Sequence, residues 1–264
     1  MSLNPKITDW RGQRVWLLGA SSGIGAELAQ QLAALGAHVV LSARRAEVLD
    51  SLLQSLPGDG HVALVCDASD QAALLATAAQ IQAELGGLDL AVYLAGDYVP
   101  LRAWDFTPQQ VRQLCEVNYL GAVNFTHAAL PLLRRAPPGK SGGLVLVSSV
   151  AGYRGLPKAL GYGPAKAALI HFAEDIYLDL HPQGMGVWVV NPGFVATRLT
   201  AQNDFHMPAL ITPEVAVKSL LAGLASGRFD IHFPKRFTRF MKFLRLLPYR
   251  AYFALVGRTA GDKE

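Results

Sequence analysis

Tyr162 and Lys166 are the residues of this chain whose types and spacing point most directly to chemistry. Side chains four residues apart lie on one face of a helix, so a phenol and an ammonium at this spacing can share a reaction centre. An adjacent cation favours the phenolate and lowers the pKa of the phenol from its ordinary value of about 10. With Ser149 thirteen residues upstream, the pair predicts general acid–base chemistry on a carbonyl or an alcohol.

A glycine-rich segment near the N-terminus predicts a dinucleotide site. It follows the apolar run 15–18, precedes a helical pattern and has GxxxGxG spacing. Glycines allow a tight turn and a close approach of the backbone to a pyrophosphate, whose charge the N-terminus of the next helix favours. The expected contacts come from Gly19, Ser21, Ser22, Gly23, Ile24 and Gly25.

Two arginines at the end of the second predicted strand favour NADP over NAD. An NAD site usually has an acid at this point for the ribose 2′-hydroxyl, whereas an arginine suits a 2′-phosphate. No acid directly precedes Arg44 and Arg45, and Glu47 falls within the next helix start. Asp67, after the third strand, either holds the nucleotide base or caps the helix that begins near Gln71.

Strand-like and helix-like segments alternate along the chain. We expect strands at 15–18, 38–42, 62–65, 88–94, 144–148, 186–190 and 231–233, and helices over 26–35, 71–85, 108–133 and the segment that carries Tyr162. Continuous apolar runs between helices are typical of parallel strands that are buried on both faces. The pattern predicts one α/β domain over 1–264, a Rossmann-type doubly wound parallel sheet with helices on both faces.

Composition excludes several classes of protein. The chain is 51% hydrophobic and 17% charged, which argues for a large core and against disorder. Cys66 and Cys115 form no CxxC or Cys/His cluster, so neither a disulfide framework nor a metal site is expected. The N-terminus lacks a signal-peptide pattern and no apolar run reaches about 18 residues, so we expect a cytoplasmic protein without a spanning helix.

Together these motifs resemble the short-chain dehydrogenase/reductase family, in its short single-domain branch. The resemblance covers about residues 12–200 and rests on the order and spacing of its elements. These are the glycine turn, Asp67, Ala95-Gly96, Asn118, Ser148 to Gly152, the Tyr162–Lys166 pair and Asn191-Pro192-Gly193. It implies a sheet of seven parallel strands, an NAD(P) cofactor, and a homodimer or homotetramer built on two long helices.

The resemblance also implies a role for each matching residue. Tyr162 gives a proton to the carbonyl oxygen as hydride arrives, or acts as base in the reverse direction. Lys166 lowers the pKa of Tyr162 and holds the nicotinamide ribose. Ser149 bonds the substrate oxygen, and Asn118 positions a water that relays protons. Further cofactor contacts are expected from Ala95, Gly96, Pro192, Gly193, Val195 and Thr197, of which Thr197 would bond the carboxamide.

The chain departs from the family pattern at two linked positions. Leu18 stands where the family usually has threonine, and Tyr93-Leu94 replaces the first two residues of Asn-Asn-Ala-Gly. Because both polar partners are absent together, we expect an apolar contact in place of their hydrogen bond.

Two C-terminal segments are expected to govern the substrate and the partners. The segment at about 198–212 resembles a substrate lid, in which Phe205, Met207 and Leu210 are apolar and His206 is a polar contact. Such a lid indicates a hydrophobic substrate, and the alternative is an ordinary surface loop.

The tail, at about 234–264, mixes aromatic and basic residues. Residues 230–264 hold eight Lys/Arg and three Asp/Glu, and helical spacing predicts Phe237, Phe240, Met241 and Leu244 on one side. The tail fits a helix at a membrane interface, or one packed on the body or on a dimer partner. No nucleic-acid motif accompanies the basic residues, so no nucleic-acid partner is expected.

The sequence thus predicts an NADP(H)-dependent oxidoreductase that reduces a carbonyl, or oxidises a secondary alcohol, on a hydrophobic substrate. One alternative is a reductase of ketoacyl thioesters, whose acidic carrier protein the basic tail would bind. The other is an NADP-binding regulatory protein without turnover, which the intact Ser149, Tyr162 and Lys166 disfavour.

Overall fold

A parallel sheet forms the centre of the molecule. The computed structural model describes residues 2–133, 142–202 and 207–257, and in these ranges seven strands pair in the order β3-β2-β1-β4-β5-β6-β7. The strands are β1 (Arg14–Leu18), β2 (His38–Ala43), β3 (Val62–Val65), β4 (Leu90–Tyr93), β5 (Gly143–Val147), β6 (Gly186–Pro192) and β7 (Asp230–Phe233). The predicted Rossmann-type sheet is confirmed.

Helices cover both faces of the sheet. They are α1 (Gly23–Ala34), α2 (Ala46–Ser55), α3 (Gln71–Leu85), α4 (Pro108–Cys115), α5 (Gly121–Ala129), α6 (Tyr162–Leu180), α7 (Pro213–Ser226), α8 (Lys235–Leu246) and α9 (Tyr249–Val256). Successive strand residues point to opposite faces, so Leu17 joins the apolar cluster that contains Leu28 and Leu220. Leu18 joins the other cluster, with Phe125 and Leu169.

The strand order places a crevice at the carboxyl edge of the sheet. The order reverses between β1 and β4, because the chain proceeds from β1 to β2 on one side and from β4 to β5 on the other. Loops that leave two such strands diverge, and ligands of open α/β sheets bind between them. The glycine turn leaves β1 at this point, and Ala95-Gly96 follows β4.

The long helix expected over 108–133 is interrupted. After α4 the chain forms a π-helical turn, Glu116–Leu120, before α5 begins, and α5 ends at Ala129. A π turn releases backbone carbonyls from the α-helical pattern. Asn118 Nδ2 donates a hydrogen bond to the Leu114 carbonyl at 2.9 Å, and the Tyr93 hydroxyl donates one to the Val117 carbonyl. Periodicity alone predicts one helix because it does not reveal the Tyr93 bond, which joins residues 24 positions apart.

Tyr93 fills the position at which the family pattern differs from this chain. It pairs in register with Leu18 and lies in the same apolar cluster, as expected for an apolar contact there. Its ring packs against Phe125 at 5.6 Å. Gly121 leaves room for the hydroxyl, since a Cβ there would lie 2.5 Å from Tyr93 Oη. Burial raises the pKa of Tyr93, so the hydroxyl remains a hydrogen-bond donor to the π turn.

The described part of the tail forms α8 and α9, which pack on the body. Phe237, Met241 and Leu244 share the inward side, but Phe240 is 54% exposed, so the prediction that all four lie on one side is wrong for Phe240. Thr238 takes that inward position because its buried hydroxyl bonds His232 Nδ1 at 2.6 Å and the Pro234 carbonyl at 3.0 Å.

Removal of the Tyr93 hydroxyl should destabilise the fold. We expect Tyr93→Phe to lower the free energy of unfolding by about 1–3 kcal/mol, because the part-buried Val117 carbonyl loses its partner. Urea unfolding followed by circular dichroism measures this loss. Tyr177→Phe is the matched control, since that hydroxyl bonds the Leu3 carbonyl at an exposed site. Equal losses in the two variants would contradict a special role for Tyr93.

Candidate active site

A cleft of about 920 Å³ opens at the carboxyl edge of the sheet. Every predicted cofactor residue lines it, and so do the predicted catalytic residues other than Asn118. The lining includes Gly19, Ser21, Ser22, Gly23, Ile24, Gly25, Arg44, Arg45, Asp67, Ala95, Gly96, Ser149, Tyr162, Lys166, Pro192, Gly193, Val195 and Thr197. Asn118 is fully buried. The fold therefore brings the sequence motifs together in one place.

The glycine turn is shaped by close backbone contacts. Gly19 has a φ of +99°, and a Cβ there would lie 2.5 Å from the Ala95 nitrogen. A Cβ on Gly25 would lie 2.2 Å from the Gly19 carbonyl oxygen. Ser22 precedes α1 in an extended conformation and makes no side-chain capping bond. The first N–H groups of α1 are therefore available to an anion, which the helix dipole also favours.

Charged side chains border the turn on the β2 side. Arg45 Nη2 lies 3.2 Å from Ser21 Oγ, so its guanidinium stands at the edge of the turn. Burial raises the pKa of Asp67, but hydrogen bonds from Ser69 and the charge of Arg44 outweigh it, and the net pKa is below its ordinary value. Asp67 is thus an anion on the cleft wall.

Asp70, and not Asp67, is the N-cap of α3. The Asp70 carboxylate accepts a bond from the Ala73 N–H at 2.9 Å and is the N-cap of α3. Asp67 instead accepts bonds from the Ser69 backbone and hydroxyl, at 2.9 and 2.7 Å. The capping interpretation of Asp67 is therefore wrong, because a three-residue turn separates it from the helix.

Close packing between the segment after β5 and α6 places the predicted catalytic side chains together. Ser148 Oγ donates to the Lys166 carbonyl at 2.8 Å. A Cβ on Gly152 would lie 2.7 Å from the carbonyl carbon of Lys166, so only glycine allows this approach. As a result Ser149 forms a hydrogen bond with the Tyr162 hydroxyl.

Burial controls the protonation of the tyrosine and the lysine. It raises the pKa of Tyr162 to about 12, although the Ser149 hydrogen bond lowers it. Burial also lowers the pKa of Lys166 to about 7. Lys166 Nζ donates to the Val147 carbonyl at 3.0 Å and lies 5.7 Å from the centre of the Tyr162 ring. The expected lowering of the Tyr162 pKa by Lys166 is not met, since desolvation disfavours both charges.

Asn118 is fixed behind the cleft by the π turn. Its Nδ2 also donates to the Asp97 carbonyl at 2.7 Å, and its Oδ1 accepts from the Asp97 N–H at 3.3 Å. A methyl group built on Gly96 would lie 3.1 Å from Asn118 Oδ1 and 3.7 Å from Lys166 Nζ. The amide oxygen and the ammonium therefore border the same small space.

Several residues that sequence reasoning did not single out also line the cleft. Tyr98 meets Tyr162 edge to face at 5.3 Å between ring centres, and Leu156 and Phe194 add apolar surface. Tyr98 lies two positions after Gly96, which is the one sequence signal that would have indicated it. Phe194 is in contact with Phe237 of α8 at 5.7 Å, a tertiary contact that the sequence does not reveal.

The predicted lid divides into two parts. Residues 198–200 and Gln202 line the cleft, whereas Met207 and Leu210 border a neighbouring hollow beside α1. Backbone bonds between Ala196 and Ile211, at 2.8 Å, and between Ile211 and Phe194, at 3.1 Å, fix the second part there. The predicted lid residues Phe205 and His206 lie outside the described residues.

Thr197 contacts the glycine turn as well as the lid. Its Cγ2 would lie 2.7 Å from a Cβ on Gly23, and its N–H donates to Thr200 Oγ1 at 3.0 Å. Thr200 in turn donates to the Val195 carbonyl at 2.6 Å. The segment after β6 therefore closes the cleft opposite the start of α1.

Comparison with known proteins agrees with this arrangement. The family model described as short chain dehydrogenase matches residues 13–207. An uncharacterized oxidoreductase of Myxococcus xanthus is 34% identical over 242 residues, which cover 91% of this chain and 94% of that protein.

Two animal relatives also match. The hydroxysteroid 11-beta-dehydrogenase 1-like protein of Danio rerio is 35% identical over 81% of this chain and 76% of its own length. Human dehydrogenase/reductase SDR family member 7 is 34% identical over 65% of this chain, but the match spans 54% of that protein. The extent of these matches, and the cleft that unites the motifs, show that this chain is an oxidoreductase of the short-chain dehydrogenase/reductase family.

Proposed function

We propose that the protein uses NADP(H) to reduce a carbonyl group on a hydrophobic substrate, or to oxidise the corresponding alcohol. The observation that carries this proposal is the half-buried Tyr162 side chain in the cleft. Its hydroxyl forms a hydrogen bond with Ser149, and its ring centre lies 5.7 Å from Lys166 Nζ. A phenol with a pKa of about 12 is protonated at neutral pH. It is therefore a proton donor in the free enzyme, which suits the reductive direction.

The residues present fit a dinucleotide. The free N–H groups at the start of α1 suit the pyrophosphate, and the absence of side chains at Gly19 and Gly25 permits its close approach. Arg44 and Arg45 suit a 2′-phosphate, and Asp67 lines the wall where a nucleotide base would lie. NADPH, when bound, supplies the hydride.

The chain's own residues supply the proton and orient the substrate. Tyr162 donates its proton to the substrate oxygen, and Ser149 stabilises the charge that develops there. Ser149 Oγ already accepts the Ala151 N–H at 3.1 Å, which leaves its own proton to be donated. Lys166, whose pKa is about 7, returns a proton to the tyrosine at neutral pH. A water above Gly96, bonded to Asn118 Oδ1, would connect Lys166 to solvent.

Apolar side chains in the cleft support a hydrophobic substrate. Tyr98 packs against Tyr162 at 5.3 Å between ring centres, and Val150, Leu156, Phe194 and Leu199 line the same cleft. Shape and burial against these apolar side chains would select the substrate. The name of the Danio rerio relative, a hydroxysteroid dehydrogenase-like protein, makes steroid ketones the first class to test, beside long-chain ketones and ketoacyl thioesters.

Tyr162→Phe should abolish turnover and leave NADPH binding unchanged. The variant keeps the ring that packs against Tyr98 but lacks the proton that the substrate oxygen receives. We expect NADPH oxidation with any active ketone of the panel to fall at least about 10³-fold, within the range of general acid catalysis. NADPH fluorescence titration should give a dissociation constant within about twofold of the wild type. Substantial residual turnover would remove Tyr162 from the acid role.

Arg44→Ala and Arg45→Ala should weaken NADPH selectively. Loss of a hydrogen bond to a charged group costs about 1.5–3 kcal/mol, which is about 10- to 150-fold in affinity. We expect this loss for NADPH in at least one of the two variants and less than about threefold for NADH. Arg11→Ala is the control, because Arg11 pairs with Asp9 on the surface. Equal weakening of both nucleotides would contradict the 2′-phosphate assignment.

A further inference from the structure

The two C-terminal helices expose a row of large apolar side chains. Phe240, Phe243 and Leu246, spaced three residues apart on α8, are 54%, 56% and 80% exposed. Tyr249 and Phe253 of α9 are also exposed and stack at 5.7 Å between ring centres. We call these five residues the C-terminal apolar surface. Isolated exposed apolar residues are ordinary, but five large ones on two consecutive helices indicate an interaction site.

This surface is held in a fixed orientation. Arg154 Nη1 donates to the carbonyls of Leu244, at 3.0 Å, and Leu247, at 2.6 Å, which end α8. Its guanidinium lies 4.8 Å from the Tyr249 ring centre and 4.1 Å from that of Tyr252. The Tyr252 hydroxyl donates to the Gly155 carbonyl. These bonds attach the inward sides of both helices to the body. The five apolar side chains therefore point outward.

The helices that carry the apolar surface are also basic. Residues 235–257 contain six Lys/Arg and no Asp/Glu. Lys242 pairs with Asp230 of β7, but Arg236, Arg239, Arg245 and Arg250 are exposed. Of these, Arg236 and Arg239 share the outward side of α8 with Phe243, because they are seven and four residues away from it on the helix. Aromatic and aliphatic side chains rimmed by arginine match the two chemistries of a lipid interface, apolar chains below acidic headgroups.

We propose that the C-terminal apolar surface docks this protein on the surface of an anionic membrane. The described residues include no helix that is long and apolar enough to cross a bilayer, so the contact would be peripheral. Charge argues against a second copy as the occupant. A two-fold contact would place the basic helices α8 and α9, which contain no Asp or Glu, against the same basic helices of the other copy. A nucleic acid would also accept the positive charge, but exposed Leu246 has no ring on which a base could stack. The apolar side chains and the positive charge together suit a lipid surface.

The location of the surface gives docking a consequence for the substrate. The inward side of α8 carries Phe237, which contacts Phe194 of the cleft at 5.7 Å. Arg154 joins the same helices to the segment between Ser149 and Tyr162. A docked molecule would hold its cleft near the lipid, where an apolar substrate concentrates. Only this last step rests on the proposed function, since binding to lipid does not require turnover.

Co-sedimentation of the full chain with vesicles tests the proposal. We expect binding to vesicles of phosphatidylcholine and phosphatidylserine at 3:1, and at least about tenfold weaker binding to phosphatidylcholine alone. Added salt should weaken the binding, because screening reduces the electrostatic part. The triple variant Arg236→Glu, Arg239→Glu, Arg250→Glu should lose at least about 100-fold, as each basic residue contributes about fivefold near such a surface.

Apolar variants and a matched control separate lipid insertion from general stickiness. The triple variant Phe240→Ser, Phe243→Ser, Leu246→Ser should lose at least about tenfold in binding. Trp104→Ser should bind like the wild type, because Trp104 is 80% exposed but lies outside this surface. Unchanged circular dichroism and NADPH affinity would confirm that the variants fold.

Three results would overturn the proposal. They are no binding of the wild type to the anionic vesicles, binding that the apolar and charge variants leave unchanged, and a surface that serves a second copy instead. The last would appear as a dimer in sedimentation velocity that the apolar variant dissociates while vesicle binding persists. If NADPH-dependent turnover is absent but vesicle binding follows the pattern above, the docking proposal stands and the proposed function fails.

Discussion

The approach of the segment after β5 to the first turn of α6 is the contact on which the site depends. Gly152 has no side chain to keep the two apart, and the Ser148 hydroxyl bonds the Lys166 carbonyl. Ser149 thereby reaches Tyr162, although thirteen residues separate them in the chain. The same contact buries Lys166 beside the Val147 carbonyl. One packing constraint thus fixes both the geometry of the candidate catalytic side chains and the desolvation that sets their protonation.

Sequence reasoning succeeded where the signal is local or periodic. The strands and the glycine turn are continuous segments with a fixed hydrophobic period or a fixed glycine spacing, and both appear as predicted. It failed where distant residues decide the outcome. The π turn depends on a bond from Tyr93 to Val117, 24 residues away, and the side of α8 that faces inward depends on Thr238 and His232. Neither interaction has a sequence period.

The pKa values of Tyr162 and Lys166 likewise could not be predicted from the sequence. From spacing alone, a cation beside a phenol predicts a lowered phenol pKa. In the folded chain burial acts on both groups, raising the pKa of Tyr162 to about 12 and lowering that of Lys166 to about 7. Desolvation depends on all the residues that pack around the pair, so the four-residue spacing of Tyr162 and Lys166 does not predict it. The result is a tyrosine that holds its proton and a lysine that exchanges one near neutral pH.

The most direct test of this account is the ionisation of Tyr162 in the free protein. Phenolate absorbance near 295 nm, measured from pH 6 to 10.5 as the difference between the wild type and Tyr162→Phe, isolates this residue from the other tyrosines. We expect no phenolate signal from Tyr162 below about pH 10, because burial keeps the phenol protonated. A difference signal that titrates between pH 6 and 9 would contradict it, since Tyr162 would then be a base rather than a proton donor in the free protein.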